Sequence, residues 1–321
     1  MSANPRPILV ITGPTGIGKT DLSMALSEQF PIRLLSADSV MVYQHLDIGS
    51  AKPTAEKLSL SPHELIDLVP PEHAFDAGQF VTHATEAIKR AWDSNLVPCL
   101  VGGTIMYLKS LLDGLDSLPS SDPIIREEIR KKADHEGWPA VHAWLESLDS
   151  VAAQMIHPNH SSRIERALEV RLITGDSICS FWSKRKTDQR IAGHPVEVAT
   201  LALMPSDREQ LKSRLDRRFD AMLTEGLEAE VRFLKERPAL SLTCTSMRSV
   251  GYRQMWEFLD GGISKNEMRE QAKAATRQLA KRQMTWLRSW RADAKTIIEV
   301  AGSLPIGEAK NWLSREIDRV L

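Results

Sequence analysis

The sequence predicts an α/β protein: a parallel sheet core interrupted by a helical insertion. Short apolar runs alternate with helical segments, and each run ends in a polar or glycine-rich turn. The texture then turns wholly helical before a last long apolar run returns. Strands separated by helices imply parallel pairing, and in such sheets ligands sit beyond the carboxyl ends of the strands. In order, the pattern predicts a strand over 7–12, a helix over 19–29, a strand over 32–36, a helix over 77–93 and a strand over 97–101. The breaker-rich joint 118–123 (Leu-Pro-Ser-Ser-Asp-Pro) opens a helical stretch to about 174, and a basic, poorly periodic segment 184–190 follows. A strand over 196–203 rejoins the sheet, the chain is helical again from 207, and a weakly featured tail begins after 293. The expected domains are 1–119 (first stretch of the core), 120–193 (helical insertion) and 194–321 (second stretch of the core, with C-terminal helices).

The first strand runs directly into Gly13-Pro14-Thr15-Gly16-Ile17-Gly18-Lys19-Thr20. This matches every defined position of the phosphate-binding loop G-x-x-x-x-G-K-[ST] and makes the expected core P-loop NTPase-like. The glycines let backbone N–H groups converge on an anion, and the helix behind presents its positive end to the same charge. Lys19 adds a cation, and the Thr20 hydroxyl suits a Mg²⁺ that bridges phosphate oxygens. The loop implies a diphosphate or polyphosphate, without saying what becomes of it.

Composition narrows the classes. A chain of 321 residues with 42% hydrophobic and 26% charged residues is ordinary for a soluble globular protein with a sizeable core. A net charge of −1 argues against a generally polycationic nucleic-acid binder but leaves room for a local basic face. Cys99, Cys179 and Cys244 are far apart and form no C-x-x-C pair, so neither zinc nor a disulfide framework is indicated. No apolar stretch approaches the roughly 20 residues of a membrane span. The N-terminal residues resemble neither a signal nor a transit peptide, so a cytoplasmic protein is expected.

Two further strand ends carry polar residues. Asp38-Ser39 follows the second strand, where an aspartate can bind Mg²⁺ through water, take a proton from a nucleophile, or cap the next turn. Gly102-Gly103-Thr104 follows the strand over 97–101 and supplies backbone room and a hydroxyl. With the phosphate loop, both are expected to meet along one rim. The segment 43–53 (Tyr-Gln-His-Leu-Asp-Ile-Gly-Ser-Ala-Lys-Pro) is too polar for core and too specific for a linker. Basic residues recur at helical spacing as Arg269, Lys273, Arg277 and Lys281, with Arg288 beyond, and again at Arg248 and Arg253 and at Arg163 and Arg166. Each cluster alone reads as a solvated helix face; together, in a near-neutral chain, they point to a polyanion track. Trp286 and Trp290, four apart, are expected to pack in the core rather than stack bases.

As a set these residues resemble the tRNA dimethylallyltransferases. The likeness rests on 13–20, Ser36-Ala37-Asp38-Ser39, Tyr43 with 47–53, Val101-Gly102-Gly103-Thr104, Arg163-x-x-Arg166-Ala167-Leu168-Glu169, Gly251-Tyr252-Arg253-Gln254 and 275–283, in the same order from about residue 8 to 290. The resemblance implies transfer of the dimethylallyl group from dimethylallyl diphosphate to N6 of the adenosine 3′ to the anticodon, in tRNAs that read codons beginning with U. It implies diphosphate binding by Gly13, Pro14, Thr15, Gly16, Ile17, Gly18, Lys19, Thr20 and Arg218, with Mg²⁺ at Thr20. It makes Asp38 the general base and sets Thr104 beside the reacting adenosine. It also implies tRNA contacts, in the anticodon stem-loop, from Asp38, Ser39, Val40, Met41, Thr104, Arg126, Arg163, Arg166, Arg248, Gly251, Tyr252, Arg253, Arg277, Lys281, Arg282 and Arg288. A monomer is expected.

The chain departs from the family pattern at Gly16-Ile17, Ser50 and Ser162, and at Val40-Met41, where a glutamine-bearing form is common and one polar tRNA contact is in doubt. No zinc-finger extension follows Trp290, which favours a bacterial type. Two other classes stay open: a P-loop small-molecule kinase, in which Asp38 would activate a hydroxyl, and an RNA-binding or nucleotide-switch protein without catalysis. Related enzymes that prenylate free adenine nucleotides form a third alternative, against which the basic stripe and the insertion argue.

Overall fold

The computed structural model describes residues 4–114, 118–119, 121–182, 190–290 and 295–320, with the side chains of 182 and 320 left out. The chain divides into two compact units, Met1–Leu112 with Gln189–Leu321, and Asp113–Asp188.

The first unit opens with β1 (Arg6–Thr12), α1 (Lys19–Ser27), β2 (Ile32–Ser36), α2 (Ala55–Leu60), β3 (His63–Glu64), α3 (Ala77–Asp93), β4 (Val97–Gly102) and α4 (Ile105–Leu112). The second holds α5 (Pro123–Glu136), α6 (Trp138–Leu148), α7 (Ser150–Met155), α8 (Ser161–Thr174) and α9 (Ile178–Trp182). The first unit resumes with β5 (Arg190–Ile191), β6 (His194–Pro205), α10 (Arg208–Glu225), α11 (Leu227–Lys235), a 3₁₀ turn at Ser246–Arg248, α12 (Tyr252–Leu259), α13 (Lys265–Ser289), β7 (Lys295–Val300) and α14 (Ile306–Val320).

Seven strands form one sheet in the order β3-β2-β4-β1-β6, with β5 on the start of β6 and β7 on its end. All pairings are parallel except the β5–β6 hairpin. Both faces are covered, which is why the strands read as unbroken apolar runs. Ile8 and Val10 of β1 join one cluster with Leu35, Leu100, Phe80 and Tyr252, while Leu9 and Ile11 join the other with Leu34, Val101, Leu203 and Trp312. Phe80 of α3 stacks on Tyr107 of α4 at 4.4 Å and 12°, locking two helices of the first face together.

The α/β parallel core and the helical run are as the sequence predicts. The tail after 293 is not weakly featured: Lys295–Val300 is a strand paired with Thr200–Pro205, and α14 buries Ala309, Trp312 and Leu313 against the second face. Six residues on a sheet edge, with Ile297 exposed and Ile298 buried, give too short an alternation to stand out in sequence. The predicted basic segment 184–190 lies outside the described residues except for Arg190.

The second unit has its own core of Ile129, Val141, Leu145, Ile164, Leu168 and Val170. Asp122 starts it, its Oδ1 accepting from the Ile124 and Ile125 amides at 2.8 and 3.3 Å, with Pro123 at the first helical position.

At the end of β4 the backbone of Gly102 lies so close to Ala37 that an added Cβ would stand 2.1 Å from the Ala37 carbonyl oxygen. Gly102→Ala must therefore push the ends of β2 and β4 away from each other. It is expected to cost about 3 kcal/mol, read as a lower urea midpoint by circular dichroism.

Candidate functional site

The phosphate loop joins β1 to α1. Gly18 sits at the helix N-cap with φ 102°, and no side chain caps the helix, so its first N–H groups are left for an external acceptor. The Lys19 ammonium folds back on the loop and donates to the Gly13 and Pro14 carbonyls at 2.9 and 3.0 Å. Burial pushes it down to about 8, against the pull of the Asp38 carboxylate and with the push of Arg218. Arg218, from α10, is half-buried and its guanidinium has no hydrogen-bond or ion-pair partner among the described residues. Burial lowers it too, again opposed by Asp38. One turn earlier, Arg214 donates to the Ile17 carbonyl at 3.2 Å and ties α10 to the loop. Two desolvated cations beside a helix N-terminus form a site that an anion would relieve.

Asp38 follows β2. Its Oδ1 accepts from the Val40 and Met41 amides at 2.8 and 3.3 Å, so it does cap the next turn. Its Oδ2 has no partner among the described residues and remains available to an incoming donor. The Ser39 amide donates to Thr104 Oγ1 at 3.0 Å, and Thr104 donates to Ser39 Oγ at 3.3 Å. The Ala37 amide reaches the Val101 carbonyl at 2.8 Å. The turns after β2 and β4 are thus zipped together, on the rim where the sequence expects them. Val40 and Met41 are half-buried, and Met41 takes a weak bond from Ser36.

The polar segment 43–53 owes its composition to two buried anchors. Glu230 of α11 accepts from the Asp47 and Ile48 amides at 3.0 and 2.7 Å through one oxygen, and from the Gly49 amide and Tyr252 hydroxyl at 3.2 and 2.7 Å through the other. Lys52, only 4% exposed, donates to the Tyr43 carbonyl at 3.1 Å and to Asp47 and Asp67 at 2.5 and 2.6 Å. Nothing in the local pattern of α11 marks Glu230, which looks like any acid on an amphipathic helix. Gln283 of α13 is equally inconspicuous: its Oε1 accepts from the Thr15 amide at 2.8 Å, and its Nε2 donates to the Gly103 carbonyl at 2.9 Å.

The basic residues divide. Arg269 and Lys273 bind Asp220 at 2.7 and 2.9 Å and hold its carboxyl down to about 2, and Arg277 grips Asp216 at 2.7 and 2.8 Å. The expected cationic stripe is therefore largely spent on α10, because α10 presents acids at the matching spacing. Lys281, Arg282 and Arg288 are exposed and have no ion pair among the described residues, as has Arg248. Arg253 pairs with Glu257 one turn on, at 2.8 Å. Gly251 and Tyr252 are buried, and the Tyr252 hydroxyl is committed to Glu230, so its ring faces the core rather than solvent.

In the second unit Arg126 and Arg166 converge on the fully buried Glu169 carboxylate, which also takes the Asp122 amide at 2.8 Å. Burial pushes Glu169 up, but these bonds outweigh it and hold the carboxyl below its usual range. Both arginines are structural pins there, while Arg163 is exposed with no partner among the described residues. Trp290 is buried as expected, but Trp286 is 45% exposed, with the Lys109 ammonium 5.6 Å from its ring centre. The four-residue spacing puts both rings on one stripe, but Trp290 closes the helix end where Lys295 meets its carbonyl, and Trp286 lies on the solvent side.

Thr20 offers a hydroxyl without a partner among the described residues, which contain no cluster of three or more His, Cys, Asp or Glu. That donor set suits Mg²⁺, which takes few protein ligands and fills its shell with phosphate oxygens and water.

A family model described as IPP transferase matches residues 41–290. The chain is 45% identical over 310 residues to tRNA dimethylallyltransferase 2 of Hahella chejuensis, covering 92% of this chain and 93% of that one. It is 44% identical over 286 residues to the tRNA dimethylallyltransferase of Bordetella avium, covering 89% and 91%. Among solved structures, the full-length tRNA isopentenylpyrophosphate transferase of Bacillus halodurans superposes with a TM-score of 0.69 at 30% identity, over 99% of this chain and 98% of that one. A eukaryotic dimethylallyltransferase acting on tRNA shares the fold, with a TM-score of 0.77 at 24% identity over 97% and 77%.

Lys19 makes the site sensitive to pH. In the unliganded protein the ammonium loses its proton near pH 8, and a neutral amine offers a diphosphate no charge. Diphosphate affinity is therefore expected to fall by up to about tenfold per pH unit above 8, relative to Lys19→Arg, whose guanidinium stays charged. Isothermal titration of both proteins from about pH 6.5 to 9.5 cancels the ligand's own ionisation and reads the difference.

Proposed function

Because the chain belongs to the IPP transferase family, we propose that it transfers the dimethylallyl group of dimethylallyl diphosphate to N6 of the adenosine 3′ to the anticodon in tRNAs reading codons that begin with U. The observation that carries this reading is the free Asp38 Oδ2 facing a loop whose two desolvated cations, Lys19 and Arg218, both feel its charge. A base and a leaving-group cradle on one rim fit a displacement in which a poor nucleophile attacks and a diphosphate departs.

The steps balance simply. N6 forms a bond to the allylic carbon, and the carbon–oxygen bond to the diphosphate breaks. Asp38 Oδ2 accepts the N6 proton, and the leaving group keeps the bonding electrons. Lys19, Arg218, the N-terminal amides of α1 and the loop backbone meet the charge that grows on the diphosphate oxygens. Mg²⁺ held by the Thr20 hydroxyl would neutralise some of that charge. Thr104, bonded to Ser39, holds the turn against which the adenine edge is set. A base buried in an anticodon loop must be flipped outward, which costs a few kcal/mol that phosphate contacts can offset.

The exposed, unpaired cations Lys281, Arg282, Arg288 and Arg248, with the exposed Trp286 on α13, support an RNA-facing surface on the first unit. Arg163 is the corresponding residue on the second. Arg126, Arg166, Arg277 and Tyr252 belong in this reading to the scaffold, since their polar groups are engaged within the protein. No described helix is long and apolar enough to cross a membrane, in keeping with a cytoplasmic, monomeric enzyme.

Radiolabelled dimethylallyl diphosphate with unmodified tRNA, or with AMP in its place, tests the reaction. Label in tRNA alone supports it, and label in AMP moves the protein to the free-nucleotide branch. Label in neither, with ATP-dependent phosphorylation instead, would make it a kinase. Asp38→Ala is expected to leave tRNA affinity nearly intact and to lower kcat by about 10²–10⁴-fold. Lys281→Ala is expected to reduce the slope of log affinity against log salt by about one, while Arg277→Ala leaves the slope and lowers the unfolding midpoint. Filter binding across a salt series and thermal melts separate the two.

A further inference from the structure

We propose that Gln283 is a positioning residue that sets the distance between the leaving-group loop and the acceptor-base turn. This rests on the transferase reading. The side chain spans from the Thr15 amide, in the phosphate loop, to the Gly103 carbonyl, beside Thr104, with bonds of 2.8 and 2.9 Å from the two ends of one rigid amide. Among the described residues no hydrogen bond joins the two loops directly beyond the β1–β4 ladder. Gly103 is shaped for this contact: an added Cβ would stand 2.5 Å from Gln283 Nε2.

The helix that carries Gln283 is firmly placed. α13 begins in a capping box of Ser264 and Glu267, buries Ala280, Met284 and Leu287 on either side of Gln283, and is pinned to α10 through Asp216 and Asp220. The amide is thus a strut from a fixed helix rather than a loose contact. It acts on both partners of the reaction at once. The Gly103 end fixes Thr104, which holds Ser39 and so the turn carrying Asp38, while the Thr15 end fixes the loop that would cradle the diphosphate. A displacement needs attacking and departing atoms in line, and an error of about 1 Å is enough to cost roughly 100-fold in rate.

The chemistry of the amide supplies a test that a merely structural residue would not pass. Gln283 donates at one end and accepts at the other, so an ionised glutamate keeps the Thr15 bond but turns a lone pair toward the Gly103 carbonyl. Protonation of that glutamate restores the donor. Gln283→Ala is expected to lower kcat by roughly 100-fold, with KM for dimethylallyl diphosphate and tRNA changed less than about threefold. Gln283→Glu is expected to recover activity relative to wild type as pH falls from about 8 to 5.5, whereas the ratio for Gln283→Ala stays flat. Steady-state kinetics of the three full-length proteins over that range, with thermal melts, reads both. A Gln283→Ala enzyme within about twofold of wild type, or a Gln283→Glu ratio independent of pH, overturns the role. A loss of activity that tracks a lowered melting temperature at equal kcat per folded molecule also overturns it. Wild-type protein that fails to label tRNA defeats the transferase reading itself, and this role with it.

Discussion

The arrangement on which the rest depends is a pair of cations held without a counter-ion. Lys19 and Arg218 are both desolvated, and each is destabilised in its charged form by the other or by neighbouring arginine. Asp38 offsets some of that cost without bonding to either. Lys19 borrows two carbonyls of its own loop in the meantime. Such a site stores unfavourable charge that a diphosphate would discharge, and it draws its binding energy from the fold that keeps the cations in place.

Keeping them in place takes bonds that are long in sequence and short in space. Arg214 reaches back to the phosphate loop, Gln283 ties that loop to the turn after β4, and Thr104 ties that turn to Ser39. Behind them Glu230 and Lys52 satisfy the buried amides and acids of the segment 43–53, so that the chain leaving Asp38 is rigid. Each anchor is a charged or polar side chain whose partners are mostly backbone groups. That explains why so polar a segment sits against the core without leaving its donors bare.

The basic helix α13 serves two purposes along one length. Its first turns are salt-bridged to α10, and its last turns carry free cations and an exposed tryptophan. The division follows from where α10 presents Asp216 and Asp220. The same helix thus holds the site and, in the proposed reading, presents a face to RNA.

Much of the fold and of the rim was legible because it rests on short-range rules. The phosphate loop, the strand-end positions of Asp38 and Thr104 and the helical run after 118 follow from residue type at fixed spacing, and the resemblance rests on such motifs. A seventh strand as short as Lys295–Val300 was not legible, since its pairing with β6 supplies the stability that its own pattern lacks. Nor were the fates of the arginines. Arg163 and Arg166 look alike in sequence, yet Arg166 is drawn to the buried Glu169 and Arg163 is left to solvent. The sequence by itself determined which chemistry-bearing groups exist and at which strand ends they fall, because backbone geometry and periodicity are local. Only the tertiary structure decided which charges are neutralised and which stay free, because pairing depends on elements that approach from distant stretches of the chain.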